Sequence, residues 1–276
     1  MLTKQLDDKS YLQFSTFLEQ QCGIVLGASK QYLVKIRLAP LMIKFKIASL
    51  SELVAQTLNP AQRQLRAAVI DAMTTNETLW FRDEYPFELL KKRLLPELKG
   101  QRTPLKIWSA ASSSGQEPYS IAMTVYEYLQ SNPGAFPAGV QIIGTDISNT
   151  MLNQCKDAQY DSLALSRGLS LARKKQFFQA CDNGMYQVKD AIKNMVSFRQ
   201  LNLLNSYSLM GRFDIVFCRN VLIYFSPELK AKIISQIYGA LNPGRYLLLG
   251  ASESLASINQ NFTMVRCNPG IIYQKK

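Results

Sequence analysis

The chain has 276 residues, 47% of them hydrophobic and 19% charged, enough for one large or two modest domains with a substantial core. It contains no histidine, which excludes mechanisms that need an imidazole base, a histidine metal ligand or a histidine-based triad. Its net charge of +12 suits an acidic partner: nucleic acid, an anionic membrane surface or an acidic protein face. The five cysteines, Cys22, Cys155, Cys181, Cys218 and Cys267, form no CxxC pair. They read as free thiols of a reducing compartment, and no metal is expected. The opening MLTKQLDDKS has no apolar signal region, and no apolar run is long enough to cross a bilayer, so a cytoplasmic protein is expected.

Residues 1 to about 73 read as helices only. Ser10 is expected to cap a helix carrying Tyr11, Phe14, Phe17 and Leu18 at helical spacing, with a break at Cys22-Gly23. A second amphipathic helix is expected from Ser29 to about Ile47, with Leu33, Ile36, Leu41 and Ile43 as its apolar positions and a bend at Pro40. It also carries Lys30, Lys35, Arg37, Lys44 and Lys46 with no acidic residue between them. Such a run is either a solvated face or a docking face for something acidic. Ser49 and Glu52 form a capping box for a third helix. Asn59-Pro60 opens a fourth, with Leu65, Ala68 and Val69 on one face.

The link Asp71–Arg82, DAMTTNETLWFR, reads on pattern alone as an interdomain loop, followed by a helix from about Pro86 to Leu98. The stretch that organises the remainder is Leu105 to Thr124, LKIWSAASSSGQEPYSIAMT. An apolar run breaks into small residues from Ser109 to Gly115, and a helical pattern opens at Gln116-Glu117-Pro118. Strand, small-residue turn and helix is how an α/β sheet delivers a cofactor to the carboxyl end of its first strand. A second strand, Val140 to Gly144, ends at Thr145-Asp146, where an acidic residue is suited to accept hydrogen bonds from ribose hydroxyls.

Ser148 caps a helix to about Cys155. From Tyr160 to Val196 a basic amphipathic stretch (Arg173, Lys174, Lys175, Phe177, Phe178), a turn at Asp182-Asn183-Gly184 and alternation after Met185 suggest a small hairpin-bearing insertion. Further strands are expected at Val196–Leu203, Phe213–Cys218 and Tyr246–Gly250. A helix starting at Ser226-Pro227-Glu228 and running to about Leu241 lies between the last two, and a terminal hairpin is built from Phe262–Arg266 and Ile271–Tyr273. The fold expected is therefore α/β: a helical N-terminal domain over 1–75, then a doubly wound, Rossmann-like domain over 76–276 with a small β insertion at about 156–197. Gly115, Glu117, Asp146, Asn202, Arg219 and Asn220 all fall at its strand carboxyl ends.

TTNETLWFRD (Thr74 to Asp83), WSAASSSGQEPYSIAM (Trp108 to Met123), GTDIS (Gly144 to Ser148), LNLL (Leu201 to Leu204) and FCRNVLIYF (Phe217 to Phe225) resemble, in order and spacing, the chemotaxis receptor glutamate methyltransferases, the CheR family. The resemblance covers nearly the whole chain. It implies an S-adenosylmethionine-dependent methyltransferase domain, yielding S-adenosylhomocysteine, that forms glutamyl methyl esters on methyl-accepting chemotaxis receptors for sensory adaptation. The residues implied to hold the cofactor are Asn76, Thr78, Arg82, Glu117, Asp146, Asn202 with Leu203, and Arg219 with Asn220. Arg82 and Tyr224 are implied to border the reacting methyl, and the N-terminal helices to lie against the methylated receptor helices.

Two positions depart from the family pattern. Ala111 stands where members often carry glycine, which requires an ordinary backbone there. The turn near Cys181 to Gly184 is short beside members that grip a receptor pentapeptide, so direct docking on the receptor's helical bundle is expected, by a monomer. The alternatives are a basic nucleic-acid methyltransferase and a non-catalytic cofactor sensor. Against the first, Arg219-Asn220-Val221-Leu222-Ile223-Tyr224 lacks the Asn/Asp-Pro-Pro-aromatic loop of base-amine methylation.

Overall fold

The computed structural model describes residues 6–255 and 261–276. It divides into two compact units. One comprises the chain up to Thr75 with Tyr224–Leu229, and the other comprises Asn76–Ile223 with Lys230–Lys276.

The first unit holds α1 (Asp8–Cys22), α2 (Gln31–Phe45), α3 (Leu50–Leu58) and α4 (Arg63–Met73). Asp7, rather than Ser10, caps α1: its carboxylate accepts the Ser10 N–H at 2.9 Å and the Ser10 hydroxyl at 2.7 Å. A carboxylate at the N-cap is the stronger acceptor and complements the helix dipole. Ser49 caps α3 as expected, accepting from the Glu52 N–H. The helices bury Phe14, Leu18, Val34, Leu38, Leu53, Leu65 and Val69 against one another. In α2 the buried row is Val34, Leu38 and Met42, spaced four apart, whereas Ile36 and Ile43 are 65% and 81% exposed. The expected apolar positions were therefore one step out of phase. With apolar residues on several sides, periodicity alone does not choose which row is buried.

The second unit begins with a helical stretch whose turns, α5 (Tyr85–Leu89) and α6 (Leu95–Leu98), flank a π-helical segment at Leu90–Leu94. There follow β1 (Leu105–Ala110), α7 (Gln116–Ser131), β2 (Val140–Asp146) and α8 (Asn149–Asp157), which Ser148 caps. The insertion comprises β3 (Gln159–Tyr160), α9 (Ser162–Ser166), α10 (Leu171–Phe177), β4 (Phe178–Ala180), β5 (Tyr186–Val188) and α11 (Asp190–Lys193). Its three strands form a separate antiparallel sheet in the order β3-β5-β4, with the Asp182-Asn183-Gly184 turn joining β4 to β5.

The chain then returns through β6 (Val196–Gln200), β7 (Phe213–Cys218), α12 (Pro227–Ala240), β8 (Leu241–Leu249), β9 (Phe262–Arg266) and β10 (Ile271–Lys275). The main sheet runs β6-β2-β1-β7-β8-β10-β9. Its first five strands are parallel, and β10 is inserted antiparallel between β8 and β9. Asn242-Pro243-Gly244 ends the helix but lies within β8, where the pairing with β7 shifts register between Phe213 and Ile215. Strand β7 is buried along its whole length, as a central parallel strand must be. Trp80, Leu90, Ile107, Tyr119, Ile121, Ile142, Ile215 and Phe217 are among the buried residues of the core on which the sheet is built.

Candidate active site

Strand β1 lies between β2 and β7, so it is the point at which the strand order reverses. Because β6, β2, β1 and β7 are parallel, the segments leaving them emerge from one edge of the sheet, and the crevice of such a fold opens there.

The segment after β1 is wound tightly. Ala111, Ser113 and Gly115 have φ of 57°, 49° and 97°. Ala111 is thus in the left-handed region, and the expectation of an ordinary backbone at that position is corrected. An L-residue there costs about 1–2 kcal/mol. The cost is offset by bonds the turn makes: Ser112 N–H to Thr145 O at 2.8 Å, Ser113 N–H to the Asp146 carboxylate at 2.8 Å, and the Ser113 hydroxyl to Asn76 O at 2.7 Å. At Gly115 a Cβ would sit 2.9 Å from the Tyr160 hydroxyl and 3.2 Å from Cys155 Sγ. That hydroxyl donates to Ser114 O at 2.7 Å, so the insertion sheet braces the turn.

Asp146 ends β2 and is 5% exposed. Its two oxygens accept the Ser113 and Ser148 N–H groups at 2.8 and 2.9 Å. Each carboxylate oxygen has lone pairs for more than one bond, and these contacts fix the group's orientation. Past β6, Asn202 Oδ1 accepts the Leu204 N–H at 3.0 Å, and buried Leu203 accepts the Tyr207 hydroxyl through its carbonyl at 2.6 Å.

Past β7, Arg219 is the electrostatic centre. Its side chain is 1% exposed and pairs with Glu117 at 2.8 Å and Asp83 at 2.7 Å. It also donates to Arg82 O at 2.7 Å. Glu117 takes a further bond from the Ser109 hydroxyl at 2.8 Å. Two carboxylates around one guanidinium leave a net negative pocket. Arg219 Nε is buried with no protein partner among the described residues. The Phe81–Glu84 backbone, whose Arg82 carbonyl Arg219 grips, is itself unusual, with positive φ at Phe81, Asp83 and Glu84. Trp80 anchors it as a fully buried plug, edge-on to Tyr160 and Phe178 at 4.9 and 5.3 Å. The Phe81 N–H is bonded to the Ser120 hydroxyl at 3.1 Å.

The structure thus gathers these residues into two hydrogen-bonded groups: Asn76 and Asp146 joined through Ser113, and Arg82 and Glu117 joined through the Arg219 guanidinium, with Asn220 next in sequence to Arg219. Thr78 is half-buried on the same loop. The Arg82 guanidinium makes one long contact, to Glu77 O at 3.3 Å. Tyr224 falls with the helical unit instead, where its carbonyl accepts the Val25 N–H. Sequence reasoning missed Asp83, Ser109, Ser113 and Tyr160. Asp83 and Ser113 lie inside recognised blocks, but their bonding partners are 30 or more residues away and carry no local signal. Burial pushes the Cys155 and Cys218 thiols well above their ordinary range, so neither is a nucleophile. Among the described residues no group of three or more Cys, Asp or Glu is placed to hold a metal ion.

The donor set fits S-adenosylmethionine. An acidic residue at the end of the second strand matches a ribose diol, a net negative cluster matches an ammonium, and a guanidinium beside it matches a carboxylate. On the helical unit, Lys30, Lys44 and Lys46 are exposed and Lys35 is half-buried. Arg37 does not stand free: its guanidinium donates to Met73 O, to Thr74 O at 3.1 Å and to the Thr75 hydroxyl at 2.8 Å, closing the end of α4. No helix among the described residues is long and apolar enough to cross a membrane.

Residues 76–271 match the S-adenosylmethionine-binding domain of the CheR methyltransferases, and residues 9–74 match the all-alpha domain of the same family. The chain is 60% identical to the chemotaxis protein methyltransferase of Vibrio parahaemolyticus, over 98% of each chain. It is 58% identical to chemotaxis protein methyltransferase 1 of Vibrio cholerae, over 98% of each. The figure for chemotaxis protein methyltransferase 1 of Pseudomonas aeruginosa is 56%, over 95% of this chain and 96% of that one. Family matches over both units, with relatives this similar along nearly their whole length, show that the chain belongs to the CheR methyltransferase family.

Proposed function

We propose that the protein transfers the methyl group of S-adenosylmethionine to glutamate side-chain carboxylates of chemoreceptors, giving glutamyl methyl esters. The observation that carries this reading is the convergence of Asp146, Glu117 and Arg219 on the carboxyl ends of adjoining parallel strands in a chain without histidine. Asp146 holds the ribose, Glu117 the ammonium of the methionine moiety, and Arg82 a carboxylate, that of the cofactor or that of the substrate. Asn76, Thr78, Asn202, Leu203 and Asn220 complete the cofactor site. The bound cofactor supplies an electrophilic sulfonium methyl.

The rest of the chemistry asks little of the protein. A glutamate carboxylate is already ionised at neutral pH, so it attacks in line without surrendering a proton and needs no general base. What the chain provides is orientation and exclusion of water.

The receptor is held on α2. Its exposed face presents Tyr32, Ile36 and Ile43 beside Lys30, Lys44 and Lys46. Exposed apolar residues rimmed by cations complement a helical bundle studded with glutamates, and the net charge of +12 steers the encounter. Docking is direct, without a tethering pentapeptide, and the enzyme works as a cytoplasmic monomer. Nothing favours a nucleic-acid substrate.

The test is transfer of label from methyl-labelled S-adenosylmethionine to a receptor cytoplasmic fragment, with Arg82→Ala as the control. Labelling by the wild type and none by Arg82→Ala is expected. Equal labelling by both would refute the role of Arg82, and no labelling of any receptor in a panel would refute the substrate class.

A further inference from the structure

The geometry points to Glu253 as a positioning residue for the cofactor loop that follows β7. Strands β7 and β8 remain paired only as far as Cys218 and Leu249. Beyond that pair the ladder ends, and backbone N–H groups on both sides lose their strand partners. One carboxylate takes up three of them. Glu253 Oε2 accepts the Asn220 N–H at 2.7 Å and the Gly250 N–H at 2.8 Å, while Oε1 accepts the Leu222 N–H at 2.8 Å. The clamp thereby joins the end of β8 to both sides of the turn that carries Arg219 and Asn220.

The turn needs such a clamp. Asn220 has φ of 56°, a left-handed conformation that the surrounding structure must hold in place. It is seated on Gly250, where a Cβ would lie 2.7 Å from Asn220 Nδ2 and 2.8 Å from Glu253 Oε2. Glycine at 250 lets the loop settle onto β8, and Glu253 fixes it there. The direction of the Asn220 side chain, and the angle at which Arg219 enters its carboxylate pair, both follow from this backbone. Glu253 touches neither the Arg219 guanidinium nor Glu117 in the described contacts, so it acts through the loop rather than on the ligand. The inference rests on the reading that Asn220 contacts the cofactor, and its test separates the two.

The experiment measures S-adenosylhomocysteine affinity by calorimetry for Glu253→Gln, Asn220→Ala and the double variant, with thermal unfolding run alongside. Glutamine keeps the size but turns one arm into a donor that faces a backbone N–H. Each single variant is expected to weaken binding by about tenfold, equivalent to one hydrogen bond of about 1.4 kcal/mol. Because both act through one turn, the double variant should lose about the same tenfold rather than a hundredfold. In turnover, Glu253→Gln should raise KM for S-adenosylmethionine and leave KM for receptor unchanged, a split that a merely destabilised fold does not produce.

Wild-type affinity in Glu253→Gln beside a weakened Asn220→Ala would overturn the positioning role alone. Losses that multiply would overturn it as well, since they would place Glu253 outside the loop's action. Wild-type affinity in Asn220→Ala would instead overturn the cofactor contact on which the inference rests. Should Glu253→Gln fail to fold, Gly250→Ala takes its place: it keeps the carboxylate in the chain but presses a methyl between Asn220 and Glu253 Oε2, disturbing the clamp from the other side. The same coupled tenfold loss is expected, and unaltered affinity would count against the clamp.

Discussion

Replacing Asp146 separates what its carboxylate does for the fold from what it does for the ligand. In the structure it accepts two backbone N–H groups, from Ser113 and Ser148, in a nearly buried site. Asp146→Ala leaves both donors without this acceptor, at about 1–3 kcal/mol each, or roughly 2–4 kcal/mol after partial rehydration. At about 2–4 °C per kcal/mol for a domain of this size, the melting temperature should fall by roughly 5–15 °C. If Asp146 holds the ribose as proposed, those contacts are lost as well. Two hydroxyl bonds to a charged acceptor at about 1.5–3 kcal/mol each put the loss of S-adenosylhomocysteine affinity at a hundredfold or more. Asp146→Asn keeps one acceptor oxygen but must turn its amide toward Ser113 or Ser148, so it should melt between the other two proteins and bind about tenfold more weakly than wild type. Calorimetry of ligand binding and of unfolding on the same preparations measures both quantities. A folded Asp146→Ala that binds S-adenosylhomocysteine like the wild type would refute the site.

Four further outcomes are expected. Ala111→Gly should relieve about 1 kcal/mol of left-handed strain and raise the melting temperature by about 2–4 °C; a lower one would contradict the backbone found there. Lys30→Glu/Lys44→Glu/Lys46→Glu should slow receptor methylation by about tenfold at low salt, less at high salt, with ligand affinity intact. An unaltered rate would dismiss α2 as the docking face. Arg37 is excluded from that set because Arg37→Ala should lower the melting temperature instead. Glu127 concerns pH. Burial pushes its carboxyl up, but the hydrogen bonds and charges of Arg173 and Lys91 outweigh burial and hold it below the usual carboxylate range. Its contribution is therefore present above the unfolded-state value and lost as pH falls through the lower native one. Melting curves taken below about pH 5 should show a steeper acid loss in wild type than in Glu127→Gln, and identical slopes would refute the coupling.

The seven strands of the main sheet were legible because parallel and terminal strands announce themselves as short apolar runs closed by Gly, Pro, Asp or Asn. The placement of Asp146, Glu117 and Arg219 at strand carboxyl ends was legible because they stand at fixed offsets from those runs. What was not legible depends on partners distant in the chain. Nothing local distinguishes the row Val34, Leu38, Met42 from Leu33, Ile36, Leu41, since α2 has apolar residues around much of its circumference. Likewise, Arg37 reads as one cation among five until α4 arrives beneath it. Ala111 argues locally for an ordinary backbone, and the bonds that override that preference come from Thr145, Asp146 and Asn76. Glu253 looks like a surface acid, and only the splaying of β7 from β8 reveals three donors waiting for it.

The central claim is the chemical nature of the product. A receptor cytoplasmic fragment labelled by this protein from methyl-labelled S-adenosylmethionine should be treated with mild base and the volatile fraction counted. Release of the label as methanol is the predicted result, because a carboxyl methyl ester hydrolyses under these conditions. Label that stays on the receptor would mean an N- or S-methyl bond and would contradict the account.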